Sequence, residues 1–122
     1  MSRSKLFILG YLALIIISGI QACAKFDTLP QLEIQVVDET GAYVSGAFVS
    51  LFDTADEWSK RKNPLQVWRK TDSEGKVLFT DLHEIEYFVY VRFDGKDNSL
   101  DEISTMAPLT INKRKIITIH IR

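Results

Sequence analysis

Side chains suited to catalysis or metal binding are scarce in this sequence. Among its 122 residues there are one cysteine, Cys23, and two histidines, His83 and His120. The histidines form no His-x-x-x-His pair and there is no second cysteine, so a zinc or iron site of protein ligands is not indicated. The chain also lacks a Gly-x-Ser-x-Gly motif and a glycine-rich phosphate loop. We therefore expect a protein that is not an enzyme, with His120 as a solvent-facing strand residue.

An acidic segment offers the one pattern of oxygen ligands. Asp94, Asp97 and Asp101 lie close together in sequence, with Asn98 and Glu102 among them. Calcium takes about six to eight such oxygens, so these residues are candidate calcium ligands at one end of the fold. Their spacing is not that of an EF-hand. The favoured interpretation is a solvated acidic turn, because Asp and Asn are also ordinary turn formers.

The two tryptophans are candidate ligand-binding residues. Trp58 lies in a long polar stretch and Trp68 near a predicted strand. Exposed indoles could stack on sugar rings or contact a partner protein, since aromatic residues are enriched at interfaces. The favoured alternative is structural: Trp58 folds back over a sheet and Trp68 fills the core.

The N-terminal residues have the three-part layout of a secretory signal. Arg3 and Lys5 precede an apolar run over residues 6–17, which is followed by small residues up to Ala22. A membrane-spanning helix needs about 20 apolar residues, so a permanent span is disfavoured. The sequence thus predicts a cleaved signal peptide and an exported domain.

The residues Ile20-Gln21-Ala22-Cys23 resemble the lipobox of bacterial lipoproteins. The resemblance implies that Cys23 is lipidated, that residues 1–22 are removed, and that residues 23–30 form a lipidated linker before a domain over residues 31–122. Ala24, in place of the aspartate that retains such proteins at the inner membrane, implies the outer membrane. The alternative is a plain signal peptide with an unmodified Cys23. No cofactor is expected beyond the covalent lipid.

The charge balance argues against nucleic acid as a partner. The chain has 15 Lys and Arg against 16 Asp and Glu, and removal of residues 1–22 would take away two basic residues and no acid. Phosphate binding relies on clustered cations, and only two short basic clusters occur, at residues 60–62 and 113–115.

Alternation of apolar and polar residues predicts an all-β domain. The expected strands cover residues 32–36, 47–52, 65–70, 76–80, 87–93 and 115–122, with a further short strand starting at 110–111. Residues 71–75 are expected to join two of these strands as a hairpin, and one helical turn is expected to open near Thr54 and end before Pro64. No helical pattern is long enough for parallel α/β crossovers, so we expect two stacked sheets.

Two segments resemble the carboxypeptidase regulatory-like, transthyretin-like domains. Residues 36–51 are similar to the opening of that family, and residues 71–82 to its Thr-Asp-x-x-Gly turn with downstream Phe79 and Leu82, which are expected to pack between the sheets. The sequence departs at Tyr43, where the family often has proline. The resemblance implies a seven-stranded, prealbumin-like Greek-key β-sandwich used as a noncatalytic module. The related hydroxyisourate hydrolases end in Tyr-Arg-Gly-Ser, which this chain lacks.

These patterns together predict a lipid-anchored, noncatalytic module at the cell envelope. The layout resembles lipidated single-domain proteins of Bacteroidota. The expected role is to bind or position a protein partner. The alternatives are an envelope glycan-binding lipoprotein that uses Trp58 and its loop, and a structural spacer in an outer-membrane complex.

Overall fold

Two β-sheets stack face to face and form an all-β sandwich. The structure, a computed structural model, describes residues 27–122, so the predicted signal peptide and Cys23 lie outside the described residues. Its elements are β1 (Gln31–Val37), β2 (Phe48–Phe52), α1 (Ala55–Lys60), β3 (Gln66–Lys70), β4 (Lys76–Phe79), β5 (Phe88–Phe93), β6 (Lys96–Asp97) and β7 (Arg114–His120). Within the described residues, no helix has the length and apolarity to span a membrane.

The first sheet has three strands and the second has four. In the first sheet the order is β4-β1-β7, and β1 pairs antiparallel with β4 and parallel with β7. In the second sheet the order is β3-β2-β5-β6, with all pairs antiparallel. The predicted all-β class and two-sheet architecture are therefore confirmed.

The inward faces of both sheets form the main core, as the alternation predicts. Leu32, Ile34 and Val36 of β1 are fully buried, while the intervening residues face outward. The other large side chains of this core that are fully buried are Val49, Leu51, Phe79, Leu82, Tyr87, Val89, Val91, Ile119 and Ile121. Phe79 and Leu82 thus lie between the sheets, as expected.

The predicted hairpin over residues 65–80 is wrong. β3 pairs with β2 in the second sheet, whereas β4 pairs with β1 in the first. A tight turn does reverse the chain, but the Thr71 hydroxyl before it donates to the Val44 carbonyl and accepts from the Ala47 N–H at 2.9 Å. These buried bonds fix the end of β3 against the loop that precedes β2, and the chain then crosses to the other sheet.

The predicted strand start at residues 110–111 is also wrong, and a short strand was not predicted. Asn112 lies in a turn with φ +61°, and its N–H donates to the Thr28 carbonyl at 2.7 Å. The last strand begins only at Arg114. The missed strand, β6, has two residues, which is too short for any periodic pattern.

The predicted helical turn is confirmed as α1. Thr54 caps it, since its hydroxyl accepts from the Glu57 N–H at 3.1 Å. The helix ends before Arg61, which has the left-handed conformation. Its one buried residue, Trp58, packs on the outer face of the second sheet against Phe52 and Tyr90.

Candidate functional site

The outer face of the second sheet is rich in aromatic side chains. The β2–β5 register places Phe48 opposite Arg92, Ser50 opposite Tyr90 and Phe52 opposite Phe88. Because alternate residues share a face, all of these lie on the side away from the main core. The helix α1 covers the end of this face that contains Phe52, and within residues 27–122 no helix covers the other end.

We call the uncovered end the aromatic–cation surface. Its members combine aromatic rings with basic side chains from three neighbouring strands, and they are Phe48, Trp68, Lys70, Tyr90 and Arg92. Trp68 is 41% exposed, Lys70 and Arg92 are exposed, and Tyr90 is buried beneath them. The strand register thus assembles one continuous surface from residues far apart in sequence.

Trp68 and its aromatic neighbours meet edge to face. The ring centroids of Trp68 and Phe48 are 6.3 Å apart with an interplanar angle of 89°. Those of Trp68 and Tyr90 are 6.1 Å apart at 66°. Edge-to-face pairs are the geometry that the ring quadrupole favours, so these contacts stabilise the position of the partly exposed Trp68 side chain.

Cations lie over these rings. The Arg92 Cζ is 5.0 Å from the Phe48 ring centroid and 4.9 Å from that of Trp68. The Lys70 Nζ is 5.1 Å from the Phe48 centroid. Cations within about 6 Å of a ring face are attracted by it. Arg92 is therefore held against two rings in a defined place.

A third cation, Arg61, connects this surface to the helix. The Arg61 Cζ lies 3.9 Å from the Tyr90 ring centroid and 5.4 Å from that of Trp58. The Arg61 side chain also donates to the carbonyl oxygens of Trp58 and Ser59. Arg61 thus closes α1 onto the sheet and fixes one border of the aromatic–cation surface.

Asp97 holds Tyr90 from the other side. The Tyr90 hydroxyl donates to Asp97 Oδ2 at 2.9 Å, and the Ser99 hydroxyl and N–H donate to Oδ1. Burial raises the pKa of Asp97, but the bonds from Ser99 and Tyr90 and the nearby Arg61 charge outweigh it, so this pKa lies below its ordinary value. Asp97 therefore stays ionised at neutral pH and orients Tyr90.

A groove of about 500 Å³ adjoins the surface. Phe48, Tyr90 and Arg92 line it and belong to the surface as well, while Phe93 and Lys96 line its far side. Its lining combines aromatic rings with charged side chains of both signs, because Asp94 and Asp97 border it as well. The groove is large enough for a side chain of a partner.

Trp58 does not lie on this surface. It is 6% exposed, and its Nε1–H donates to the Val89 carbonyl at 2.8 Å. A buried indole with its one donor in use has no free face for a sugar ring, so the placement contradicts the prediction of Trp58 as an exposed ligand residue. The alternative that Trp58 covers the sheet is correct. The alternative that Trp68 fills the core is wrong.

The three predicted calcium residues do not converge. Asp94 lies in the β5–β6 turn with φ +49°, Asp97 holds Tyr90, and Asp101 pairs with Arg122 at 3.4 Å. Across residues 27–122, no three His, Cys, Asp or Glu side chains are grouped so as to hold a metal ion. The acidic segment instead has a structural role, because the buried Asn98 side chain hydrogen-bonds the β5 backbone.

The two histidines are both exposed, and His120 lies on β7 opposite Val37. Of the residues on this surface, the sequence predicts only Trp68 as a binding residue, and not Phe48, Lys70, Tyr90 or Arg92. One signal was available: Phe48 and Phe52 add apolar bulk to the outward face of β2. Such a strand is covered on both sides, either by the same chain or by a partner.

Two comparisons with known proteins found no match. No protein-family model matches this chain, and no curated protein matches it. Its function is therefore inferred from the sequence patterns and the aromatic–cation surface.

Proposed function

We propose that this protein is a lipid-anchored, noncatalytic module that binds or positions a protein partner at the cell envelope. The aromatic–cation surface is its binding site. The observation that carries this proposal is that α1 covers one end of an aromatic sheet face and leaves the other end, with Trp68 and Arg92, open to solvent. Trp, Tyr and Arg are the residues most enriched at the centres of protein interfaces.

The other sheet provides the contrast. Its outward residues include Glu33, Gln35 and Thr118, and its exposed apolar area comes from Ile116 and the half-buried Leu78. That is the ordinary composition of a solvated sheet face. A partner is therefore expected on the second sheet and not on the first.

We further propose the prealbumin-like Greek-key arrangement for the sandwich. The strand orders β4-β1-β7 and β3-β2-β5-β6 support it, together with the resemblance of residues 36–51 and 71–82 to the transthyretin-like domains. Modules of this kind are used as docking or spacing units, which agrees with a binding role.

The anchor is proposed at Cys23, with an outer-membrane location. The segment before β1 is bound to the domain from Thr28 onward: the Thr28 N–H donates to Asn112 Oδ1 at 2.7 Å, and Pro30 is buried. Asp27 follows Cys23 by only four positions in the sequence, a span of at most about 14 Å. A lipid at Cys23 would therefore hold the domain close to the membrane surface.

The anchor is tested by intact-mass analysis of the full chain recovered from its native membranes. We expect a mature chain that starts at Cys23 and carries acyl groups, and we expect Cys23→Ala to abolish both processing and membrane retention. An unmodified, soluble chain would remove the lipoprotein proposal.

The binding site is tested by affinity purification of the full chain from the same membranes. We expect one enriched partner whose recovery falls about tenfold in Trp68→Ala, a typical loss for an interface hot spot. The matched control is Thr118→Ala on the outer face of the first sheet, which should retain the partner. Equal recovery with both variants would exclude the aromatic–cation surface as the site.

A further inference from the structure

The cations of the aromatic–cation surface have no acidic partner among the described residues. Lys60, Lys76, Arg114 and Arg122 each form an ion pair with a carboxylate. Across residues 27–122, by contrast, neither Arg92 nor Lys70 forms an ion pair or a side-chain hydrogen bond. Their charges are thus available to a bound group.

Arg92 is held in place before anything binds. Its Cζ lies about equally far from the Phe48 and Trp68 ring centroids, at 5.0 and 4.9 Å. A guanidinium packed against two rings loses less conformational entropy on binding than a mobile side chain does, and within residues 27–122 the Arg92 side chain forms no hydrogen bond, so its N–H groups remain donors for a carboxylate.

The local charge balance favours an acidic ligand. Around the surface and its groove, Arg61, Lys70, Arg92 and Lys96 are basic, while Asp94 and Asp97 are acidic. The Asp97 carboxylate already accepts bonds from Tyr90 and Ser99. An anionic group is therefore attracted to the surface, and a cationic one meets the unpaired charges of Arg92 and Lys70.

The ring geometry favours a polypeptide over a sugar. A pyranose ring stacks on an open aromatic face, but Arg92 lies over Trp68, and both Arg92 and Lys70 lie over Phe48. What remains accessible is charged groups, the exposed part of Trp68 and a groove whose lining includes Phe48 and Phe93. Such a site suits carboxylates that alternate with apolar side chains.

We propose that the aromatic–cation surface recognises an acidic segment of the partner protein, in which a carboxylate pairs with Arg92 and Lys70 and an adjacent apolar side chain enters the groove. This inference rests on the proposed partner-binding role of the same surface. It specifies the chemistry of the segment that the partner presents.

The two indole N–H signals of the full chain, measured by NMR in a nonionic detergent, provide the test. The probe is a capped peptide of alternating glutamate and leucine, and the matched control peptide has glutamine in place of glutamate. We expect the glutamate peptide to shift the Trp68 signal saturably and to leave the buried Trp58 signal unchanged. The glutamine peptide should bind at least about tenfold more weakly, because it lacks the charge-assisted bonds.

Variants assign the effect to the proposed residue. Arg92→Gln should weaken binding of the glutamate peptide about tenfold, and raised salt should weaken it in the wild type. The matched control is Lys115→Gln, which removes one exposed positive charge from the other sheet and should change the affinity less than about twofold. An unchanged Trp58 signal in each variant verifies that the fold is intact.

Three results would overturn the proposal. They are equal binding of the two peptides, full affinity in Arg92→Gln, and a saturable response to oligogalacturonate without one to the glutamate peptide, which would indicate an acidic glycan. The proposed function is judged separately. A partner purified through Trp68, combined with equal binding of both peptides, would refute acidic recognition and leave the binding role standing.

Discussion

Replacement of Trp58 by alanine tests whether this tryptophan is a structural residue. Trp58 is 6% exposed, packs with Phe52 and Tyr90, and donates its Nε1–H to the Val89 carbonyl. Removal of a buried tryptophan side chain costs about 3–5 kcal/mol of unfolding free energy. Against a total stability of about 5–15 kcal/mol for a domain, this is a large loss.

Two further variants are expected to lose less unfolding free energy than Trp58→Ala. Trp58→Phe keeps most of the ring contact and loses one hydrogen bond, but the Val89 carbonyl still accepts from Asn98 Nδ2 at 2.8 Å. No buried acceptor is left without a donor, so we expect a cost of about 1–2 kcal/mol. Trp68→Ala removes a side chain that is 41% exposed together with two edge-to-face contacts, which we expect to cost about 1–2 kcal/mol.

Urea unfolding followed by far-ultraviolet circular dichroism measures these costs without relying on tryptophan fluorescence. We expect Trp58→Ala to lower the unfolding free energy by at least about 2 kcal/mol more than Trp68→Ala does. Equal costs, or a larger cost for Trp68→Ala, would refute the assignment of Trp58 to the interface between helix and sheet. Trp58 would then have to be reconsidered as a ligand residue.

Three further predictions concern turns, a buried hydroxyl and acid stability. In urea unfolding, Gly75→Ala should lower the unfolding free energy clearly more than Gly41→Ala does. Both glycines have positive φ, so alanine at either position introduces about 1–2 kcal/mol of backbone strain. Only at Gly75 would the added Cβ also lie 2.6 Å from a backbone oxygen of β1. Thr71→Val should lower the unfolding free energy by about 1–3 kcal/mol, because it leaves the buried Ala47 N–H without its acceptor. Thr71→Ser keeps the hydroxyl and should retain most of this stability. Equal losses in the two variants would contradict a structural role of the Thr71 hydroxyl. The folded-state pKa of Asp97 is lowered, so its interactions stabilise the fold above about pH 4 and are lost as the pH falls below that value. In Asp97→Asn, the unfolding free energy should therefore decrease less steeply on acidification than in the wild type. An equally steep decrease would contradict this role of Asp97.

The individual strands could be predicted because their pattern is local. Leu32, Ile34 and Val36 alternate with polar residues, and that period of two alone identifies β1. The pairing of strands is not local. The turn at residues 72–75 has the sequence of a hairpin turn, but Thr71 binds the loop before β2 while the Val36 N–H of β1 donates to the Gly75 carbonyl, so β3 and β4 join different sheets.

The binding surface could be predicted only in part. Trp58 and Trp68 look alike in sequence, and what separates them is that α1 turns one of them onto the sheet. Arg92 belongs to the aromatic–cation surface because the β2–β5 register places it opposite Phe48. Such a contact between distant segments leaves no trace in a short sequence window, so Arg92 could not be predicted as part of a binding surface.

Photo-cross-linking in native membranes tests the central claim most directly. A photoreactive amino acid is placed at Trp68 on the second sheet or, as the control, at Thr118 on the first, and the adducts are identified by mass spectrometry. We expect one dominant protein adduct from position 68, reduced in the presence of excess unmodified chain, and none from position 118. No adduct at position 68 in a folded chain, or equal labelling from both positions, would contradict the assignment of this surface as the binding site.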